Sequence, residues 1–485
     1  MSYQVPDNID SNKVYLVDFA ELEGRLDPAY VLYKKKIANE FLFPIRQLKE
    51  MLVKDPQYGT AESGIERKSD DEPRYIRITD IDELGNLIEG LGATAEKLEE
   101  QYLLNENDIL FARSGATVGK TYLHKEMPYR CYFAGYMIRV VINKALLLPE
   151  FLFIYTQLKT YKEWVKAVQR VAAQPNINTE EYKSLPIPLP PLSAQKKMVD
   201  FYNTALLNRK KKLDESSQKL SSIDTYLLNE LGIKLQESKP QSLQDRMFVV
   251  CFDEVNGGRL DPKLYSTSTK QLKQSLNESP FGKQPLKDFI TDSCSGEWGK
   301  DESEEVNEDK YTKCLVIRAT EFDNTYNLRL ENSRVKYRWI ENTKLSKMNI
   351  LPNDLLIEKS GGSEDQPVGR ISILTNDILQ DNKIAYSNFI HKITVKGINP
   401  RYLYYYLKTM HNIKITDAMQ SQTNGIRNLI MKEYFNQAII VPPSEIQQVI
   451  VDRITEIRMQ AKVLQEQGKQ ILAQAKKEVE QMIIG

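Results

Sequence analysis

Two long stretches of the chain place an apolar residue at every seventh position. In the first, Val199, Leu206, Leu213, Leu220 and Leu227 recur in step, with Tyr202, Arg209, Ser216 and Ile223 between them. In the second, Ile450, Ile457, Leu464 and Ile471 alternate with Ile454, Ala461, Gly468, Ala475 and Met482. A period of seven predicts a coiled-coil seam, placed at 190–236 and 442–485. Each stretch runs about 40 residues, hence ~60 Å of helix, and neither is interrupted by proline after its opening Pro-Pro pair. The small residues Ala461, Gly468 and Ala475 allow another helix to approach closely. The two rods are therefore expected to pack antiparallel on each other, since a seam this long needs a long partner.

Ahead of each rod the pattern shortens to strand-like runs between turns. Strands are predicted at 74–78, 108–112 and 137–142, and again at 314–317, 354–357 and 390–395. Helical periodicity marks 150–168 and 401–410. The predicted fold is thus α+β, with two globular domains in tandem (13–189 and 245–441), each followed by a long helix.

The two halves are copies. Phe19-Ala-Glu-Leu-Glu-Gly-Arg-Leu-Asp-Pro28 returns as Phe252-Asp-Glu-Val-Asn-Gly-Gly-Arg-Leu-Asp-Pro262. Tyr75-Ile-Arg-Ile-Thr-Asp-Ile81 returns as Val316-Ile-Arg-Ala-Thr-Glu-Phe322, and Asn107-Asp-Ile-Leu-Phe-Ala-Arg-Ser-Gly115 as Asn353-Asp-Leu-Leu-Ile-Glu-Lys-Ser-Gly361. Pro190-Pro191 with Gln195 matches Pro442-Pro443 with Gln447. The offset grows from 234 residues (Gly24 to Gly258) to 252 (Pro190 to Pro442), so the repeated unit is a whole domain plus its rod.

Composition narrows the class. The 485 residues exceed one ordinary core. No run of 18 apolar residues appears, and the first ten residues are polar and acidic, so neither a membrane nor a secretory route is expected; the expected place is the cytoplasm. Lys plus Arg equals Asp plus Glu at 66 each, so any nucleic-acid binding must rest on local patches. Four scattered cysteines and three histidines offer no zinc-ligand spacing, and no metal site is expected.

Candidate contact groups follow from chemistry and spacing. Arg113, Ser114 and Lys120 lie in a glycine-containing loop after a strand, a setting suited to phosphate. Lys359, Ser360 and Arg370 are their counterparts. Gly115 and Gly119 are only four apart, which is wrong for an ATP-binding Walker loop. The glycines also fit a plain tight turn with solvated cations. Arg77 and Arg318, at matched strand positions, either point to DNA or pair with an internal carboxylate. Gln174, Asn176 and Asn178, with Gln422, Asn424 and Arg427, carry groups able to read base edges, or else form a structural turn. The shared Gly-Arg-Leu-Asp-Pro element reads as scaffold, because residues alike in both copies cannot carry a difference between them. Specificity is expected in the diverged stretches 57–71, 130–134 and 291–311.

Two α+β domains, each followed by Pro-Pro, a glutamine and a heptad helix, resemble the specificity subunits of type I restriction-modification systems. The family-like phrases are Ile187-Pro-Leu-Pro-Pro-Leu-Ser-Ala-Gln195, the 107–115 element and Gln174-Pro-Asn-Ile-Asn178. The second copy departs at Ser444-Glu-Ile and is only loosely similar over 422–428. The resemblance implies that each domain reads one half of a split target in double-stranded DNA and that the helices fix the unread gap. It also implies that two methyltransferase subunits and restriction/translocase subunits dock on the chain. S-adenosylmethionine, ATP and Mg are then expected in those partners and no cofactor here.

No catalytic residue is expected. An amino-methyltransferase needs a Gly-rich cofactor loop and an Asn/Asp-Pro-Pro-aromatic pocket, whereas both Pro-Pro pairs here follow apolar residues. Asp354 with Glu358-Lys359 lacks nuclease spacing. The competing reading is a coiled-coil protein-interaction scaffold that does not bind DNA.

Overall fold

The computed structural model describes residues 16, 28–37, 41–169, 175–235, 247, 249–255, 261–323, 325–330, 335–362, 366–423 and 426–484. Most of the Gly-Arg-Leu-Asp-Pro element, 24–27 and 258–260, lies outside them. The chain forms two units, Met1–Leu213 with Gln465–Gly485 and Asp214–Leu464, so the division falls within both long helices.

The first unit holds strands β1 (Ile45–Gln47), β2 (Gln57–Tyr58), β3 (Ile65–Glu66), β4 (Arg74–Ile76), β5 (Ala93–Thr94), β6 (Ile109–Ala112), β7 (Thr121–Leu123), β8 (Cys131–Phe133), β9 (Met137–Val140) and β10 (Pro186–Pro188). One sheet has the order β2-β9-β6-β7, a second β3-β5-β4-β8, and β1 pairs with β10. The second unit holds β11 (Gly282–Pro285), β12 (Ile290–Ser295), β13 (Lys300–Asp301), β14 (Tyr311–Ile317), β15 (Lys336–Glu341), β16 (Leu355–Glu358), β17 (Ser360–Gly362), β18 (Ile371–Ile373), β19 (Ile384–Tyr386), β20 (Ile390–Val395), β21 (Gln420–Thr423), β22 (Ile426–Leu429) and β23 (Ala438–Val441). Its sheets run β12-β20-β16-β18 and β13-β15-β14-β19, with β11 on β23, the same plan as the first unit, and β17-β22-β21 is added. The central strands β6, β9 and β16 are buried along their whole length, as their near-continuous apolar runs require.

The helix expected over 150–168 is two, Pro149–Tyr155 and Lys159–Val168. Thr156 and Gln157 break the period because their side chains turn inward to the Thr121 hydroxyl, at 2.7 and 3.1 Å. The second helix buries Tyr161 and Trp164 against Phe111 and Tyr182, an aromatic core that no short periodic window reveals.

The predicted rods are helices Leu192–Glu230 and Ser444–Ile484. They run antiparallel in each unit. In the first, a Cβ on Gly468 would sit 3.4 Å from Leu213 Cδ2, and Leu472, Ala475, Val479 and Ile483 share a core with Met198, Val199, Tyr202 and Ala205. In the second, the Ser216 hydroxyl donates to the Ala461 carbonyl at 2.9 Å, and Ile223 and Leu227 pack with Ile450, Ile454 and Ile457. Leu206, Leu220 and Ile471 lie partly buried beside these cores. Met482, expected in the seam, is exposed and Ile483 is buried instead. A straight helix drifts about 20° per heptad against a strict seven-residue repeat, so the inward position moves on by one residue.

The Pro-Pro and glutamine signature has a mechanical reason. Gln195 accepts from Leu148 N–H (2.8 Å) and donates to the carbonyls of Leu146 and Pro190. Gln447 accepts from Asn399 N–H (2.9 Å) and donates to Pro442. Each amide, fully buried, ties the start of a rod to the globular part of its own unit.

Candidate nucleic-acid interface

At the end of β6 the chain turns through a loop whose Gly115 and Gly119 take φ of +82° and +84°, a region that favours glycine. Arg113 N–H donates to the Tyr136 carbonyl at 3.0 Å, Ile177 N–H donates to the Arg113 carbonyl at 2.9 Å, and Ser114 bridges Asn176. These bonds gather Arg113, Ser114, Asn176, Tyr136 and, from β2, Tyr58. The Arg113 guanidinium lies over the Tyr58 ring, 4.6 Å from its centroid. Tyr136 stands 68% exposed beside it.

The second unit repeats the frame with other side chains. Lys359 N–H donates to the Phe389 carbonyl and Leu429 N–H to the Lys359 carbonyl, both at 2.8 Å, and Ser360 pairs with Asn428. Phe389 is 47% exposed, the counterpart of Tyr136. Where Tyr58 stacks on Arg113, Ser295 accepts from Lys359 Nζ at 2.8 Å. His391 stands between Ser293 (2.6 Å) and Ser295 (3.2 Å). Burial, then the nearby Lys359 and Lys392 cations, push its pKa down to about 4, so it is neutral at pH 7. Burial also lowers that of Lys359. Each unit thus presents a cation, an exposed aromatic, a serine and an asparagine on one backbone frame.

At the opposite ends of β6 and β16 from this frame lies a matched buried ion pair, Asp108 with Arg139 and Asp354 with Lys392, each at 3.5 Å. Desolvation raises both carboxyl pKa values, against the backbone N–H of Asn105 at Asp108 and the Thr394 hydroxyl at Asp354. Sequence reasoning passed over these pairs, although Asn-Asp opens the 107–115 and 353–361 phrases alike.

Other candidates are engaged inside their own domains. Arg77 holds Asp80 through two side-chain bonds (3.0 and 2.8 Å), and Arg318 holds Glu321 likewise (3.3 and 2.7 Å), so both have the internal-carboxylate geometry. Lys120 donates to the Ile81 carbonyl and Glu83, and Arg370 grips Glu358 and reaches the Phe322 carbonyl. Asn178 caps the short helix Thr179–Lys183. Arg427 is 8% exposed, within the β21–β22 hairpin. Gln174 and Asn424 lie outside the described residues, as does the side chain of Gln422. Ser114 pairs with Asn176 and Ser360 with Asn428, so the counterpart of Asn176 is Asn428, not Asn424; the match of Gln174 to Gln422 and Asn176 to Asn424, though identical in residue, is out of step by four. Tyr136, Phe389, His391 and Asn428 are not among the residues the sequence singles out, and Tyr58 and Ser295 are marked there only as parts of the diverged stretches 57–71 and 291–311.

The family described as type I restriction modification DNA specificity domain matches this chain twice, over residues 35–214 and 286–473. The chain belongs to that family. Similar proteins include the type I restriction enzyme EcoKI specificity subunit of Escherichia coli (strain K12), 21% identical over 78% of this chain and 73% of that protein. The StySPI specificity subunit of Salmonella potsdam is 23% identical over 76% and 72%. Among solved structures, the HsdS subunit from Thermoanaerobacter tengcongensis aligns at 15% identity and TM-score 0.33, covering 90% of this chain and 94% of that one. A subunit structure reported for the assembly and conformational transition of a type I R-M system aligns at 14% and 0.48, covering 90% and 95%. As a specificity subunit the chain is non-catalytic. Among the described residues no helix is long and apolar enough to cross a membrane.

Proposed function

We propose that this specificity subunit reads a bipartite target in double-stranded DNA, with 13–189 and 245–441 as the two readers, and that the helices set an unread spacer. One observation carries the reading: the same frame is built twice, yet holds Arg113 on Tyr58 in one unit and Lys359 on Ser295 in the other. A common frame suits a common partner, and different side chains suit two different half-sites. The near-zero net charge is compatible with this, since the contacts are local. Two methyltransferase subunits and restriction/translocase subunits assemble on the chain, and S-adenosylmethionine, ATP and Mg belong to them.

The experiment is selection from random duplexes by the full chain together with its methyltransferase subunit. Recovery of a two-part motif with an unread gap is the expected result. No enrichment leaves the protein-interaction scaffold as the reading. Exchange of 13–189 for the same domain of a relative changes one half-site only; a change in both refutes independent readers.

A further inference from the structure

Arg113 differs from the other well-placed arginines of its unit in having no acceptor. Arg67, Arg74, Arg77 and Arg139 all donate to carbonyls or carboxylates within the domain. The Nε of Arg113 is buried without a hydrogen-bond partner, as are those of Arg74 and Arg139; what sets Arg113 apart is that, among the described residues, no acceptor meets its terminal nitrogens either. The terminal nitrogens, unlike the Nε, are not among the buried unpartnered atoms, and they are the donors open to an incoming acceptor. The guanidinium nevertheless lies over the Tyr58 ring, 4.6 Å from its centroid. That ring is in turn fixed at its hydroxyl, which lies 3.3 Å from both the Thr179 hydroxyl and the Thr179 N–H. The result is a fork of donors set over an anchored ring, at an edge where Tyr136 is exposed.

Resting on the DNA-reading function above, we propose that Arg113 reads a guanine in one half-site, donating to its O6 and N7 in the major groove, with Tyr58 as the positioning residue. The fork matches that pair of acceptors bidentately. A phosphate would accept the same fork, but a phosphate contact carries no sequence information and would serve equally in both units. Here the cation and its support both differ between units. Tyr58 lies in one diverged stretch, 57–71, and Ser295 in another, 291–311. Lys359 is a point donor tied by a hydroxyl rather than a stacked plane, so the second half-site is read by a different group.

The test measures affinity of the full chain, assembled with its methyltransferase subunit, for the selected duplex and all its single-base variants. Arg113→Ala is expected to weaken the selected duplex about ten- to a hundredfold and to abolish discrimination at one G·C position of one half-site. Preferences in the other half-site stay unchanged, which also reports that the protein is folded. Arg113→Lys keeps the charge without the fork and lowers discrimination at the same position. Tyr58→Ala has the same positional effect with Arg113 present, and Tyr58→Phe, which keeps the ring, largely restores discrimination. Uniform weakening of every duplex, with the salt slope reduced by about one, identifies a phosphate contact and overturns the proposal. Unchanged preferences, or loss at an A·T position, also overturn it. If the wild-type assembly selects no motif at all, the DNA-reading function itself fails, an outcome distinct from failure of Arg113 alone.

Discussion

His124 is buried in the first unit, its Nδ1 3.0 Å from the Tyr122 hydroxyl, and desolvation pushes its pKa down to about 4. An unfolded histidine takes its proton near pH 6.5, roughly. Between those values the unfolded chain binds the extra proton, so this group's contribution is lost as pH falls from about 6.5 towards 4. His124→Gln is expected to shrink the drop in melting temperature between pH 7 and pH 5; an unchanged drop refutes the assignment. Lys392 is wholly buried and donates to Asp292 (2.7 Å) and to the Asn349 carbonyl (3.0 Å) besides pairing with Asp354. Lys392→Met leaves the buried Asp354 carboxylate without its cation. A loss of about 3–5 kcal/mol is expected from the second unit's unfolding transition, and a change below about 1 kcal/mol in denaturant melts would show the pair to be dispensable. The local ion pairs were partly legible: Arg77 and Asp80, like Arg318 and Glu321, stand three apart in both copies. The Arg113–Tyr58 stack was not, since its members are 55 residues apart and join only through the sheet.

At the scale of elements, the heptads predicted both long helices, but the choice of inward residue belongs to packing. Gly468 is buried in the seam, and a Cβ there meets Leu213 and Arg209 at 3.4 and 3.7 Å, ordinary contact distances. Gly468→Ala therefore adds helix propensity without a clash and is expected to stabilise by up to about 1 kcal/mol. Gly468→Leu overfills the same space and lowers the melting temperature. If both variants melt alike, the seam is not closely packed at this point. The short strands differ from their expected ends by a few residues, as at β14, which begins at Tyr311 rather than 314. The break at Thr156 escaped because its cause, the hydroxyl of Thr121, lies in another element.

At the scale of the whole molecule, the proposed spacer is the quantity that helix length controls. Adding one heptad after Leu213 and one after Leu464 lengthens both helices by about 10 Å. The recovered gap is expected to widen by about three base pairs with the half-site sequences unchanged; an unchanged gap tells against a helical ruler. The duplication, the two rods and the family are legible along the chain alone, because ordered motifs and a seven-residue period survive in one dimension. Which cations are engaged within a domain and which are left without an acceptor there emerges only in the fold. A side chain's partner depends on what the sheet brings beside it: Lys120 and Arg370 were equal to Arg113 and Lys359 as charges along the chain. In the fold, Lys120 and Arg370 brace a turn, Lys359 rests on a serine, and Arg113 is held on a ring with its donors unmet.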